Sequence, residues 1–104
     1  MRHLRRMKRL YAARREALLA YLRRFAPAGC EAEAGALAVR LGLPAGTDDL
    51  DLCSRAVMRG LSPVPLSPWR VGSAPQPGLL LGVTNLRPER LAADCDRLLP
   101  LLPQ

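Results

Sequence analysis

Aromatic side chains make up only 4% of this 104-residue chain, too few for the stacking platforms that hold single-stranded nucleic acids or splayed-out bases. Histidine occurs once, as His3 among arginines. No base can then be placed beside a nucleophile in a Ser/His/Asp or Cys/His arrangement, and His3 reads as a solvated surface residue. The cysteines number three, Cys30, Cys53 and Cys95. An odd count at wide spacing suggests neither a disulfide framework nor a zinc site, and it points to a reducing, cytoplasmic compartment. No apolar run reaches the length of about 18 residues that reads as a bilayer span, and the glycines fall in neither P-loop nor dinucleotide spacing. The basic N-terminus lacks the unbroken apolar core of a signal peptide. It is Arg-rich and amphipathic as a mitochondrial presequence would be, but it is poor in serine.

What the chain does have is ordinary globular content, 49% hydrophobic and 24% charged, enough for one domain that buries roughly two-thirds of its unfolded surface. The charge is unevenly placed. Residues 1–25 hold nine of the sixteen basic residues and a single acid, Glu16, for a net +8, which leaves −1 on the other 79. Leu4, Met7, Tyr11, Leu18, Tyr21 and Phe25 recur at the spacing of one helical face, widened by Leu10, Ala17 and Leu22, and Pro27 and Gly29 supply a stop. Arg2 and Arg6, like Arg5 and Arg9, stand four apart, where like charges repel by a few tenths of a kcal/mol, roughly. This helix, about 37 Å long if it holds 25 residues, exceeds what a small sheet can cover, so part of it should project.

The remainder, 26–104, reads as a small α+β unit. Residues 35–43 alternate, with Leu37, Val39, Leu41 and Leu43 facing one way, as in a strand with one buried face. Thr47, Asp48 and Asp49 mark a helix start, Leu50, Cys53 and Val57 its apolar face, Asp51 and Arg55 an i,i+4 pair and Gly60 its end. Leu61 to Leu66 forms an edge strand, because Pro63 and Pro65 remove donors. Ser67 to Pro77 is loop by composition. Gly78 to Asn85 suits a central, doubly covered strand, with Gly82 allowing something to approach closely. Pro88 opens a last helix whose inner row is Leu91, Cys95, Leu98 and Leu102, with Arg90, Asp94 and Arg97 pairing outside. The order α-β-α-β-β-α implies a mostly antiparallel three-stranded sheet with helices on one face.

Candidate chemistry is sparse. Asp48, Asp49 and Asp51 sit where helix caps belong, which outweighs a metal cluster. Pro65 to Arg70 matches a PxxPxR docking pattern that is short enough to arise by chance in a loop, and Trp69 reads as an anchor for that loop. The functional feature is the basic helix. Its bland reading is a solvated face. Two sharper readings are phosphate contact by Arg2, Arg5, Arg6, Lys8 and Arg9, on nucleic acid or an acidic membrane surface, and docking on an acidic protein surface.

RRMKRLYAARREALLAYLRR at 5–24 is followed by G-x-x-x-x-R-L at 35–41 and an Asp-rich helix start. PLSPW at 65–69 and GLLLGVTNL at 78–86 then precede a last helix. In this order the chain resembles the C-terminal end of MocR-type regulators of the GntR group, which join a winged helix-turn-helix to a domain with the type I aminotransferase fold. The resemblance implies a small subdomain whose long helix leaves a large pyridoxal-phosphate domain, and it supplies a partner for the arginines: that domain or a second subunit. It also implies pyridoxal phosphate for the full-length family and no cofactor for this chain alone. The Schiff-base lysine of such proteins has no counterpart, since the only lysine is Lys8. The substrate-carboxylate arginine of related aminotransferases aligns with Leu80, and Gly35 to Ala38 lacks the histidine of a G-L-H-L strand. The expectation is a non-catalytic subdomain, stand-alone or truncated, that packs on a partner domain or subunit. The alternative is a small nucleic-acid-binding protein.

Overall fold

In the computed structural model, residues 2–66, 77–84 and 86–103 are described, with α1 side chains described from Arg6 onward. Helix α1 spans Arg2–Phe25. Its core-facing row is Leu18, Leu19 and Leu22, flanked by half-buried Tyr11 and Tyr21. The contact is thus confined to the C-terminal two-thirds. Ahead of Tyr11, Arg6, Lys8, Arg9 and Leu10 are exposed and Met7 is half-buried, so the first turns extend past the core. Phe25 is 49% exposed, its ring against Tyr21 with centroids 4.7 Å apart.

Four strands follow the expected α+β plan with one more strand than its three. These are β1 (Glu31–Ala34), β2 (Ala38–Gly42), β3 (Val64–Pro65) and β4 (Gly78–Gly82), all antiparallel in the order β1-β2-β4-β3. Strand β1, EAEA, carries almost no apolar signal. Only Ala32 is buried, and the strand exists because the Gly35–Leu37 turn folds it onto β2 in register, Ala32 opposite Leu41. That turn takes Leu37 out of the strand, leaving it 51% exposed, while Val39, Leu41 and Leu43 are buried as the alternation requires.

Helix α2 (Asp49–Met58) is capped one residue later than Thr47: the side chain of Asp48 accepts from the Asp51 N–H at 3.1 Å. Its buried row is Asp49, Leu52, Cys53 and Ala56, at i, i+3, i+4 and i+7. Leu50 and Val57, expected inside, are exposed. The cause is Asp49, whose carboxylate accepts from the Gly78 N–H at 3.0 Å and turns that row toward the sheet. Among the described residues no ion pair joins Asp51 to Arg55; the ion pairs are Arg15–Glu16 and Arg97–Asp94. The helix ends in a Schellman turn, with Gly60 at φ 83° donating to Val57 O and Leu61 donating to Ala56 O.

Strand β4 lies between β2 and the short edge strand β3. The close approach is at Gly78 rather than Gly82. A Cβ on Gly78 would meet Leu66 Cδ1 at 2.7 Å and Leu41 O at 2.9 Å, whereas one on Gly82 meets nothing within 4 Å. A 3₁₀ turn at Pro88–Arg90 leads into α3 (Leu91–Leu98), and a second covers Leu99–Leu101. Cys95, Leu98 and Leu102 are buried, as expected. Directly opposed residues of antiparallel strands share a face. Val39, Leu41, Leu79 and Leu81 therefore line the helix-covered side, and Glu33, Arg40, Leu80 and Val64 the other. On that second face Leu80 is half-buried and Glu33, Arg40 and Val64 are exposed, so the double cover expected for β4 is not provided by helices. The PxxPxR segment beyond Leu66 and Trp69 lie outside the described residues.

Candidate functional site

The nine cations of the basic helix divide into groups. Arg14 and Arg15 flank the core-facing row, and their guanidinium groups reach the sheet's loops. Arg14 Nη1 donates to Thr84 O at 2.9 Å, beyond the end of β4. Arg15 Nη1 donates to Gly35 O and Ala36 O, both at 2.9 Å, in the β1–β2 turn. Both Nε atoms are buried with no hydrogen-bond partner among the described residues. These two arginines therefore hold loop carbonyls in place of phosphate. Their signal in the sequence is position: each stands beside the Tyr11–Leu18–Leu22 stripe, where a long side chain lies along apolar surface before reaching a polar group.

Arg6 and Arg9 belong to a different row. With 3.6 residues per turn, Arg2, Arg5, Arg6 and Arg9 fall within an arc of about 100°, on the far side of the helix from Leu18 and Leu22. Arg6, Lys8 and Arg9 are exposed; the side chains of Arg2 and Arg5 lie outside the described ones. Arg6, Lys8 and Arg9 thus stand exposed on one segment, with exposed Leu10 one turn from Arg6, while half-buried Met7 belongs to the face of Tyr11 and Leu18.

The titratable groups inside the fold are set against nucleophilic chemistry. Burial pushes the Cys53 thiol up to about 11, with the Asp49 charge adding to it. Burial does the same at Cys95, also to about 11, reinforced by Asp94 and Asp96. Burial also raises Cys30. Thiols with such values stay protonated at neutral pH and are poor nucleophiles. Tyr21 donates to Asp96 Oδ1 at 2.7 Å, and this bond to a carboxylate holds its phenol above the usual range. Asp48 and Asp49 are committed to the α2 cap and to Gly78. Among the described residues no three His, Cys, Asp or Glu side chains converge as metal ligands.

No protein-family model matches the chain, and the curated proteins yield no significant match. Solved structures do match. LysN, the α-aminoadipate aminotransferase of Thermus thermophilus, solved with N-(5'-phosphopyridoxyl)-L-leucine, superposes with a TM-score of 0.81 at 28% identity. The match takes in 95% of this chain and 26% of LysN. The fold is that of the small domain of type I aminotransferases. A multiple-substrate aminotransferase of Thermococcus profundus matches 90% of the chain at 28% identity and TM-score 0.77, over 24% of its own length. The kynurenine aminotransferase of Pyrococcus horikoshii matches 96% at 24% identity and TM-score 0.77, over 25% of its length. The chain thus spans about a quarter of the aminotransferases it resembles.

Those relatives raise the question of pyridoxal phosphate. Lys8 is exposed on the projecting part of α1, among arginines and beyond the core. Among the described residues nothing encloses Lys8, so those residues do not fit an aldehyde cofactor held as a Schiff base. Leu80, where the resemblance places the arginine of related enzymes, sits on the sheet face away from the helices, directly opposite Arg40 on β2. Among the described residues, no helix is long and apolar enough to cross a membrane.

Proposed function

We propose that the chain is the small subdomain of a MocR-type regulator with an aminotransferase-like body, without catalysis of its own, which works by docking on a large pyridoxal-phosphate domain or a second subunit. Residues 1–25 are then the interdomain helix, and 26–104 the subdomain that it carries. The observation that supports this is the projecting start of α1. Its exposed cations stand beside exposed Leu10, and a docking helix combines both kinds of group in this way. The order of motifs in the sequence supports the regulator assignment within that fold.

The competing reading, phosphate contact on nucleic acid, is favoured by the exposure of Arg6, Lys8 and Arg9. A salt titration of binding to generic duplex DNA separates the two. Docking predicts weak binding that does not respond to single arginine removals. Five phosphate contacts would give a log–log slope of about −4.5, and each arginine removed would reduce it by about one; that result overturns the proposal. Incubation with pyridoxal phosphate should leave no stable Schiff-base absorbance. The coding sequence upstream of Met1 tests the regulator assignment: an in-frame winged helix-turn-helix and large domain support it, and a different upstream architecture counts against it.

A further inference from the structure

A cleft of about 630 Å³ opens between the middle of α1, the segment Gly60–Pro63 after α2, the end of β4 and α3. Its apolar lining comes from Leu18, Leu61, Pro63, Leu81, Leu86 and Leu98. Three arginines, Arg87, Arg90 and Arg97, and one acid, Asp94, complete it, for a net charge of +2. The three cations are not equivalent. Arg97 pairs with Asp94 and donates from Nη1 to Arg59 O at 2.9 Å, which fixes its guanidinium at the end of α2. Arg87 and Arg90 are exposed and take no side-chain hydrogen bond or ion pair among the described residues. The Pro88–Arg90 turn links them, with the Arg90 N–H donating to Arg87 O at 2.9 Å. Two uncommitted guanidinium groups therefore stand at the edge of a hollow whose one acid among the described residues is already paired with Arg97.

Small-molecule sites have this size, and they combine apolar wall with placed polar groups, as the leucines and arginines do here. The sign and position of the charge choose the ligand. We infer that the cleft binds a small amphipathic carboxylate, its apolar body against Leu61, Leu81, Leu86 and Leu98 and its carboxylate on Arg87 and Arg90. A neutral apolar molecule would leave both guanidinium groups unused, and a bare anion would leave the hollow uncovered. The site lies on the helix side of the sheet, at the opposite face from Leu80 and Arg40, and it does not involve the projecting cations of α1.

The test is titration of the 104-residue chain with decanoate, followed by calorimetry and by methyl chemical shifts. Decanol supplies the tail without the charge, and acetate the charge without the tail. Decanoate should bind and move the methyl signals of Leu61, Leu81, Leu86 and Leu98, while decanol binds about tenfold more weakly and acetate leaves them unmoved. The double variant Arg87→Ala/Arg90→Ala, both surface positions, should weaken decanoate about tenfold or more, equivalent to about 1.4 kcal/mol. Arg6→Ala/Arg9→Ala, which removes the same charge elsewhere, should leave it unchanged. The inference is overturned if decanoate leaves the cleft methyls unmoved, if decanol binds as well as decanoate, or if both double variants weaken binding equally. None of these outcomes bears on whether the chain docks on a larger domain, because that reading concerns α1.

Discussion

Replacing Asp49 with alanine tests the contact that sets the orientation of α2. Asp49 is 2% exposed, and its carboxylate accepts from the Gly78 N–H at 3.0 Å, across 29 residues of sequence. It stands in the first turn of α2, where the helix dipole favours a negative charge. A hydrogen bond to a charged group contributes about 1.5–3 kcal/mol, and a buried N–H left unpaired costs about 1–3 kcal/mol. These figures describe overlapping events, so Asp49→Ala should cost about 3 kcal/mol. For a domain near this size, 1 kcal/mol moves the melting temperature by about 4–8 °C, which puts the expected drop at about 12 °C or more. Asp49→Asn keeps an acceptor oxygen and should cost about 1 kcal/mol, the loss of charge assistance alone. Asp48→Ala, an exposed cap, should also cost about 1 kcal/mol. Urea denaturation followed by far-UV circular dichroism measures all three, with an unchanged slope showing that the unfolded state is not the cause. The reasoning fails if Asp49→Ala costs less than 1 kcal/mol, or if asparagine is as damaging as alanine.

Gly78→Ala should destabilise by about 2 kcal/mol or more through overpacking, because its Cβ would lie 2.9 Å from Leu41 O; Gly82→Ala, with nothing within 4 Å, should be neutral or slightly stabilising in the same melts. Arg15→Ala should cost about 1–2 kcal/mol by releasing the carbonyls of Gly35 and Ala36, and amide exchange should show the β1–β2 turn loosening, whereas Arg9→Ala should leave stability within about 0.5 kcal/mol. Burial raises Cys53 and Cys95 from 9.0 to about 11, so the folded state holds these protons more tightly than the unfolded one. Their stabilising contribution is complete below pH 9 and declines as pH rises through about 11; Tyr21, raised by its bond to Asp96, acts in the same sense. The urea midpoint should therefore fall between pH 9 and 11, and a flat midpoint across that range would contradict the burial of the two thiols.

The parts of the fold that were legible in the sequence are those where one residue type dominates a local choice. The strand Ala38–Gly42 follows from alternating Val39, Leu41 and Leu43, the end of α2 from Gly60, and the edge position of β3 from two prolines. Strand β1 was not legible because EAEA has neither β-branched nor aromatic side chains, and its pairing is supplied by a turn and by β2. The misplaced face of α2 has the same origin. Leu50, Cys53 and Val57 form an apolar row by spacing, but the buried row includes Leu52 and Ala56, on the face from which Asp49 reaches Gly78. Long-range polar contacts leave no period in the sequence. The arginines of the cleft were equally hidden, since Arg87 and Arg90 share a cleft with Leu18 and Leu61 only through the tertiary fold.

For the basic helix, the structure changes which residues carry the argument. A run of nine cations invites a reading by charge alone, yet Arg14 and Arg15 are occupied with loop carbonyls, and Arg24 lies over the Phe25 ring at 5.2 Å. Of the exposed cations without such a contact, Arg6, Lys8 and Arg9 precede Tyr11, and Arg23 follows it near the helix end. Phosphate binding requires only that such groups be exposed and spaced along the helix; it gives no reason for Leu10 to be 44% exposed beside them. Docking on a protein surface does, because interface energy comes mainly from desolvated apolar and arginine anchors and little from charge at the rim. Leu10, rather than the arginines around it, is therefore the residue whose replacement would distinguish an interdomain helix from a nucleic-acid arm.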